Sequence, residues 1–401
     1  MDHQPDAILL FCRAALAVAL ALAVGVPAAQ QAPASGRLEA LTAHALEFAR
    51  AQLARTIAEI PAADRFPEFT RSDGSWATGD AKDWRSGFFP GCLWLAFEFT
   101  RDPAFRAAAE KWTAALAPIR DYGGTHDLGF MIFTSYGNGE RVAPSAAYEQ
   151  VILQAAATLA KRFNPKVGCI KSWDNPRWAF PVIIDNMMNL ELLLWAAGHG
   201  GPASLREIAR SHAAKTMANH VRPDGSTYHV LGYDPDTGAV LARNTHQGSA
   251  DDSTWARGQA WAIYGFTLMY RFERDARFLA TARRAADYFL AHLPSDGVPY
   301  WDFQAPGIPR EPRDSSAAAI AASALFELAA YGDAPANRES YFEAARRILR
   351  SLCAPPYLAE GTASHALLDH GVGSRPGNAE VDASLIYGDY YLLEAIARSR
   401  R

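Results

Sequence analysis

The chain has 401 residues, of which 49% are hydrophobic, 20% charged and 11% aromatic, and its formal charge is −4. That is the composition of a folded protein with a large core, and it excludes the broad basic surface that nucleic-acid binding requires. Its 10 tryptophans exceed what packing alone usually needs.

The first segment reads as a separate object. Arg13 precedes a run from Ala14 to Val26 made almost wholly of Ala, Val and Leu, and the small residues Ala28 and Ala29 follow. This is the pattern of a secretory signal peptide, cleaved near Val26-Pro27-Ala28-Ala29, against the alternative of a retained anchor. It divides the chain into residues 1–29, a signal, and residues 30–401, one catalytic domain in the periplasm or outside the cell. No later stretch approaches about 20 apolar residues, so no stable membrane association is expected after cleavage. Cys12 would leave with the signal. Cys92, Cys169 and Cys353 are an odd set without metal-site spacing, which predicts buried thiols with at most one disulfide and no bound metal.

Beyond the signal, helical periodicity dominates. It predicts helices near Leu38–Ile57, Gly87–Thr100, Pro103–Pro118, Leu128–Tyr136, Ser145–Phe163, Pro181–Gly198 and Ala203–Asn219. A second group follows near Thr254–Phe272, Arg277–Leu293, Ser315–Tyr331, Arg338–Ser351 and Ala383–Arg398. About twelve helices in successive hairpins, with no linker between halves, point to one closed all-α toroid rather than two domains. Several helices follow polar-aromatic loops: Asp83-Trp84-Arg85, Thr125-His126-Asp127 and Asp252-Ser253-Thr254-Trp255. Asp314 and Asp382 fit simple N-caps as well as any chemical role. In a double ring the inner helices start at one end, so these loops would line one shared cavity.

The segment Ile183-Ile184-Asp185-Asn186-Met187-Met188-Asn189-Leu190 sets an aspartate at the head of an apolar helical run. Burying a carboxylate there costs several kcal/mol unless it is paired or used. Asp185 is therefore either an N-cap or satisfied core group, or a carboxyl whose apolar setting holds a proton near neutral pH. Asp127 is a second acid at a helix start, and paired carboxylates suit glycoside chemistry. Trp84, Phe88, Phe89, Trp173, Trp255 and Trp261 offer either flat faces for sugar rings or ordinary core packing. In Trp255-Ala256-Arg257-Gly258-Gln259-Ala260-Trp261, helical spacing sets Trp255 near Gln259 and Arg257 near Trp261, while Gly258 keeps the backbone approachable. Arg257 can fork onto the carboxylate of an acidic sugar or pair with Asp251 or Asp252.

The runs His126-Asp127-Leu128-Gly129-Phe130, Ile184 through Asn189, Trp255 through Trp261, and Glu380-Val381-Asp382 with Tyr387-Gly388-Asp389-Tyr390-Tyr391 resemble the unsaturated glucuronyl hydrolases, glycoside hydrolase family 88. Order and spacing agree across almost the whole mature chain. The resemblance implies an (α/α)6 barrel and no cofactor. It also implies removal of a 4,5-unsaturated uronic acid from the non-reducing end of lyase-generated, glycosaminoglycan-type oligosaccharides by hydration of the enol ether. On the family's motif, Asp185 would protonate C4 and then assist water at C5, and Asp127 would keep Asp185 protonated. His126, His229 and Gln247 would contact substrate, Arg257 would meet the uronate carboxylate, and Trp84, Trp173, Trp255 and Trp261 would wall the sugar.

Gly258-Gln259-Ala260-Trp261 differs from the Gly-Asn-Gly-Trp of the related unsaturated rhamnogalacturonyl hydrolases, which makes these the alternative within the same chemistry. From other classes, a sugar 2-epimerase would need two opposed histidines among His126, His229, His246 and His370. A non-catalytic periplasmic oligosaccharide-binding protein would need only the aromatics and Arg257. The loop Asp369–Asn378 is either a reach past the cleaved sugar to a sulfate or hydroxyl, or a plain solvent loop.

Overall fold

The computed structural model describes residues 34–400 apart from 333 and 334, so the expected signal peptide lies outside the described residues. The helices are α1 (Ala34–Glu59), α2 (Phe88–Thr100), α3 (Pro103–Ala115), α4 (Asn138–Val142), α5 (Ala146–Ala160) and α6 (Asn186–Gly198). They continue with α7 (Ser204–Asn219), α8 (Ala256–Glu273), α9 (Ala276–Ala291), α10 (Ser315–Ala330), α11 (Pro335–Leu352) and α12 (Ile386–Ser399). A π-helical segment, Gly129–Gly137, runs directly into α4. The even-numbered helices form a closed ring: α2 packs on the π-helical segment, then α6, α8, α10 and α12 follow, and α12 returns to α2. The odd-numbered helices pack outside it, which makes the all-α double ring expected of an (α/α)6 barrel.

Composition explains which helices go inside. Every residue of α8 from Ala256 to Met269 and of α10 from Ser315 to Phe326 is buried, and α10 is largely alanine and serine. Small side chains let six helices crowd around one axis, and a helix apolar on all sides is stable only when enclosed. The outer helix α9 buries Phe278, Leu279, Ala282, Ala285, Ala286 and Phe289 on one face and leaves arginines on the other.

Loop length fixes direction. Arg101 and Arg274 close α2 and α8 in left-handed conformation, and Asp102 and Asp275 at once cap α3 and α9 through their side chains. Each reversal takes two residues, so the inner helices run parallel and their N-termini share one face. The long connections all gather there and carry the short strands. β1 (Phe66–Thr70) pairs with β2 (Trp76–Gly79), and β3 (Phe163–Asn164) with β4 (Cys169–Ile170). β5 (Phe180–Ile183), β6 (Val230–Tyr233) and β7 (Val240–Asn244) form a three-stranded antiparallel sheet, and β8 (Gly371–Ser374) pairs with β9 (Ala379–Ala383). Ile183 stands opposite Val230 in the β5–β6 ladder, and the Ile184 N–H donates to the His229 carbonyl at 3.0 Å. That register brings Asp185 beside His229.

Three expectations are corrected. The helix predicted over Pro181–Gly198 begins only at Asn186, because the β-branched run ahead of it pairs as β5. The helix over Leu128–Tyr136 is the π-helical segment. Asp382 caps nothing: α12 starts at Ile386, and Asp382 sits in β9 with φ 55° and bonds His370. Cys92, Cys169 and Cys353 are all free and buried. No helix among the described residues is long and apolar enough to cross a membrane.

Candidate active site

Asp185 occupies the N-cap position of α6, yet its side chain makes no capping hydrogen bond, and its Oδ2 is buried without a partner. The two bland explanations, a cap or a satisfied core group, therefore both fail. Its side chain keeps 14% exposure. Burial drives its pKa from 3.8 up to about 7; the Arg257 cation pulls it down and the Asp127 charge pushes it up. The Trp261 indole N–H lies near enough to lower it further, yet falls outside hydrogen-bonding geometry and has no other partner.

His229 faces this carboxyl, with Nε2 3.7 Å from Asp185 Oδ2. Its Nδ1 accepts the backbone N–H groups of His246 and Gln247, each at 3.2 Å. Two donors on Nδ1 leave the ring proton on Nε2, aimed at Asp185. Burial, then the neighbouring His246 and Arg257, hold the imidazole neutral by lowering its pKa well below the usual value. Nε2 also lacks a partner, so a buried donor and a buried acceptor confront each other just beyond bonding distance. A donor and an acceptor that face each other unpaired form an arrangement that a bound molecule can complete.

Asp127 is the second acid, close enough for its charge to act on Asp185. Burial raises its pKa to about 6; Thr125, donating to Oδ2 at 2.7 Å, and Asn189 draw it back. His126 is buried beside it, with Nε2 3.3 Å from Oδ1, and burial lowers the imidazole to about 3, so it too is neutral. Asn189 ties the two acids together. One turn along α6 from Asp185, it accepts the Phe130 N–H at 3.0 Å and so caps the π-helical segment that follows Asp127. A Cβ on Gly129 would come within 2.6 Å of the Asn189 Cα and Oδ1, so only glycine allows this approach. The sequence reading singles out neither Asn189 nor Thr125, although an asparagine set between Met188 and Leu190 in the run that Asp185 heads is an available signal.

The aromatic frame has two layers. Trp255 and Trp261 are almost wholly buried: Trp255 lies 4.5 Å from the His229 ring and Trp261 5.2 Å from Phe130. Trp84 and Trp173 are half-buried and offer open ring surface. Trp84 packs on Tyr387 at 5.0 Å, and Trp173 lies 6.2 Å from His126 and 6.0 Å from His246. Phe88 and Phe89 are core residues.

The helix-start motif is wired differently from its spacing. Arg257 stacks over Trp255 at 4.4 Å and Tyr387 at 5.2 Å, not over Trp261. Its ion pair is with Asp314, at 3.1 Å, rather than Asp251 or Asp252; Asp251 instead accepts from Asn244 and the Thr245 N–H. Gln259 turns away from Trp255 to bond Thr227 and the Gly225 and Ala285 carbonyls, locking the preceding loop. Gly258 serves packing, since a Cβ there would meet the Trp255 ring at 2.7 Å. Gln247 reaches the Gly373 carbonyl at 2.9 Å and links the His229 loop to β8.

The β8–β9 hairpin borders the site through the Gly373 carbonyl, which accepts from both Gln247 and Arg257. Six described non-glycine residues have positive φ; Arg101 and Arg274 close helices, and the other four, His370, Asn378, Glu380 and Asp382, all lie in or beside this hairpin. Strain gathered in one segment is typical of a wall shaped for a ligand. Glu380 is fixed by Arg85, which also binds Asp83 and Glu68. Among the described residues no group of three or more His, Cys, Asp or Glu side chains is arranged to hold a metal ion.

A helical double ring with two buried aspartates of raised pKa, neutral histidines and tryptophan walls at the inner-helix N-termini defines a carbohydrate-active (α/α)6 barrel. No family model matches the chain. It is 45% identical over 326 residues to an unsaturated glucuronyl hydrolase of Formosa agariphila, covering 80% of each chain. It is 36% identical to an unsaturated chondroitin disaccharide hydrolase of Streptococcus pyogenes over 83% of this chain and 85% of that one. The crystal structure of an unsaturated glucuronyl hydrolase specific for heparin superposes with TM-score 0.87 at 42% identity, over 90% of this chain and 97% of that one. The chain belongs to the unsaturated glucuronyl hydrolase family.

Proposed function

We propose that this protein removes a 4,5-unsaturated uronic acid from the non-reducing end of glycosaminoglycan-type oligosaccharides by hydrating its enol ether, acting downstream of a polysaccharide lyase in the periplasm or outside the cell. The observation that carries the reading is Asp185: a buried carboxyl raised to about 7, with an unpartnered Oδ2 opposite the Nε2 of a neutral histidine. An acid of that strength can protonate a carbon at neutral pH and, once ionised, take a proton from water.

In this scheme Asp185 delivers its proton to C4, and positive charge develops at C5 and the ring oxygen. The Asp185 carboxylate then removes a proton from the water that attacks C5. The hemiketal so formed opens and releases the aglycone, so the anomeric carbon is never attacked and one acid/base group serves both halves. Asp127, kept near Asp185 by Asn189, supplies negative charge that favours the protonated starting form. Trp84 and Trp173 stack on the sugar, and Arg257 provides the cationic field for the uronate carboxylate. His126, His229 and Gln247 complete the floor. The relatives' names divide between heparin and chondroitin. The β8–β9 wall, with Arg375 at its turn, is the segment we assign to the aglycone.

The test is Asp185→Asn with a lyase-made unsaturated disaccharide. Loss of the enol-ether absorbance change with binding retained supports the proposal; unchanged turnover refutes it. A panel of disaccharides differing in sulfation, assayed on the wild type and on Arg375→Ala, separates the aglycone classes.

A further inference from the structure

Arg257 is only 1% exposed, and a buried guanidinium needs a counter-charge and filled donor positions. It receives the counter-charge and three acceptors from adjoining segments. Nη1 donates to Asp314 Oδ2 and to the Val372 carbonyl, and Nη2 donates to the Gly373 carbonyl at 2.7 Å. Asp314 is itself wholly buried and divides its two oxygens. Oδ1 caps α10, accepting the Ser316 N–H at 3.1 Å, the Ser316 hydroxyl at 2.6 Å and the Ala317 N–H at 3.4 Å, and it also meets the Val372 N–H at 3.4 Å. Oδ2 is left for Arg257 alone. One carboxylate thus joins the start of α10, strand β8 and the arginine of α8.

We propose that Asp314 is a positioning residue of the reaction: through Oδ2 it fixes the Arg257 cation between Trp255 and Tyr387 to face the substrate carboxylate, and its own charge offsets the pull of that cation against the proton on Asp185. This rests on the function proposed above. The cap needs one oxygen, and serine or threonine caps a helix about as well, so capping alone does not explain a buried carboxylate here. The charges around Arg257 are Asp314 ahead of α10, Glu380 on β9, Asp185 ahead of α6 and the Tyr387 hydroxyl on α12. Those around Asp185 are Arg257, Asp127 and the neutral His229, with His246 behind it. Asp314 is the ion-pair partner that Arg257 holds directly.

Two variants of the full chain separate the roles. Asp314→Ser keeps the cap and removes the counter-charge; Asp314→Asn keeps shape and cap oxygen and removes the charge. Both are expected to fold, with KM for the unsaturated disaccharide raised about tenfold or more. At pH 5, where Asp185 stays protonated, kcat should change by less than about threefold. The basic limb of kcat/KM should move to lower pH, because a less compensated Arg257 cation favours ionised Asp185. Wild-type KM and an unmoved limb in either folded variant would overturn the inference and leave Asp314 a helix cap. If the wild type does not consume the substrate, the proposed function fails first, and the two failures are distinct.

Discussion

Replacing Asp185 by asparagine should make the protein more stable at alkaline pH while abolishing turnover. The carboxyl is driven from 3.8 up to about 7 chiefly by burial. A carboxyl whose pKa is raised on folding contributes stability in its protonated form. That contribution is complete below the unfolded value and is lost as pH rises through about 7, where the folded protein must ionise a desolvated group. At 1.36 kcal/mol per unit, the shift corresponds to about 4 kcal/mol at pH 8.5 as an upper bound, and relaxation around the ionised site brings the expected gain to about 1–4 kcal/mol. Asparagine is nearly isosteric, carries no charge at any pH and still presents an oxygen to His229. Thermal melts of both proteins at pH 4 and pH 8.5 check this. The variant should melt several degrees higher at pH 8.5, with the difference shrinking towards pH 4. A variant that melts lower at pH 8.5, or an offset equal at both pH values, would refute the reasoning that burial without compensation sets the acidity of Asp185.

The same acidities predict a narrow pH–rate profile. kcat/KM should fall as pH rises through about 7, when Asp185 loses the proton it must donate, and as pH drops through about 6, when Asp127 gains one. Buffer-corrected initial rates from pH 4 to 9 measure both limbs. Gly129→Ala should cost about 1–3 kcal/mol by forcing apart the π-helical segment and α6, and should reduce activity beyond the loss of stability; melts and rates on the same sample test it. Since Cys92, Cys169 and Cys353 are buried and free, a thiol reagent should react with none of them in the native protein and with all three in denaturant.

How far the sequence reveals this site depends on what each feature rests on. Helix number and the shared loop face follow from periodicity and from the polar-aromatic loops that precede the inner helices, local signals that survive folding unchanged. The apolar setting of Asp185 was equally visible, because a carboxylate among Ile184, Met187 and Met188 has a cost whatever surrounds it. Partner choice was not visible. Arg257 has acidic neighbours six and five residues back, yet its partner, Asp314, is 57 residues ahead, brought in by packing of α8 on α10. Periodicity places Pro181-Val182-Ile183 in a helix because the run is too short for its period to separate the two states, and pairing of β5 with β6 decides the matter. The packing role of Gly258 is hidden in the sequence because the ring that fills its space belongs to Trp255, whose orientation is tertiary.

Protonation of a ring carbon by Asp185 is read out by turnover in D2O followed by mass and NMR analysis of the released uronate. The expected result is disappearance of the enol-ether absorbance with a single deuterium at C4 in product trapped by borohydride at early times, before the C4 hydrogens, now α to the C5 ketone, exchange with solvent, and neither in Asp185→Asn. Release of aglycone with the double bond intact, or without deuterium at C4, would contradict it.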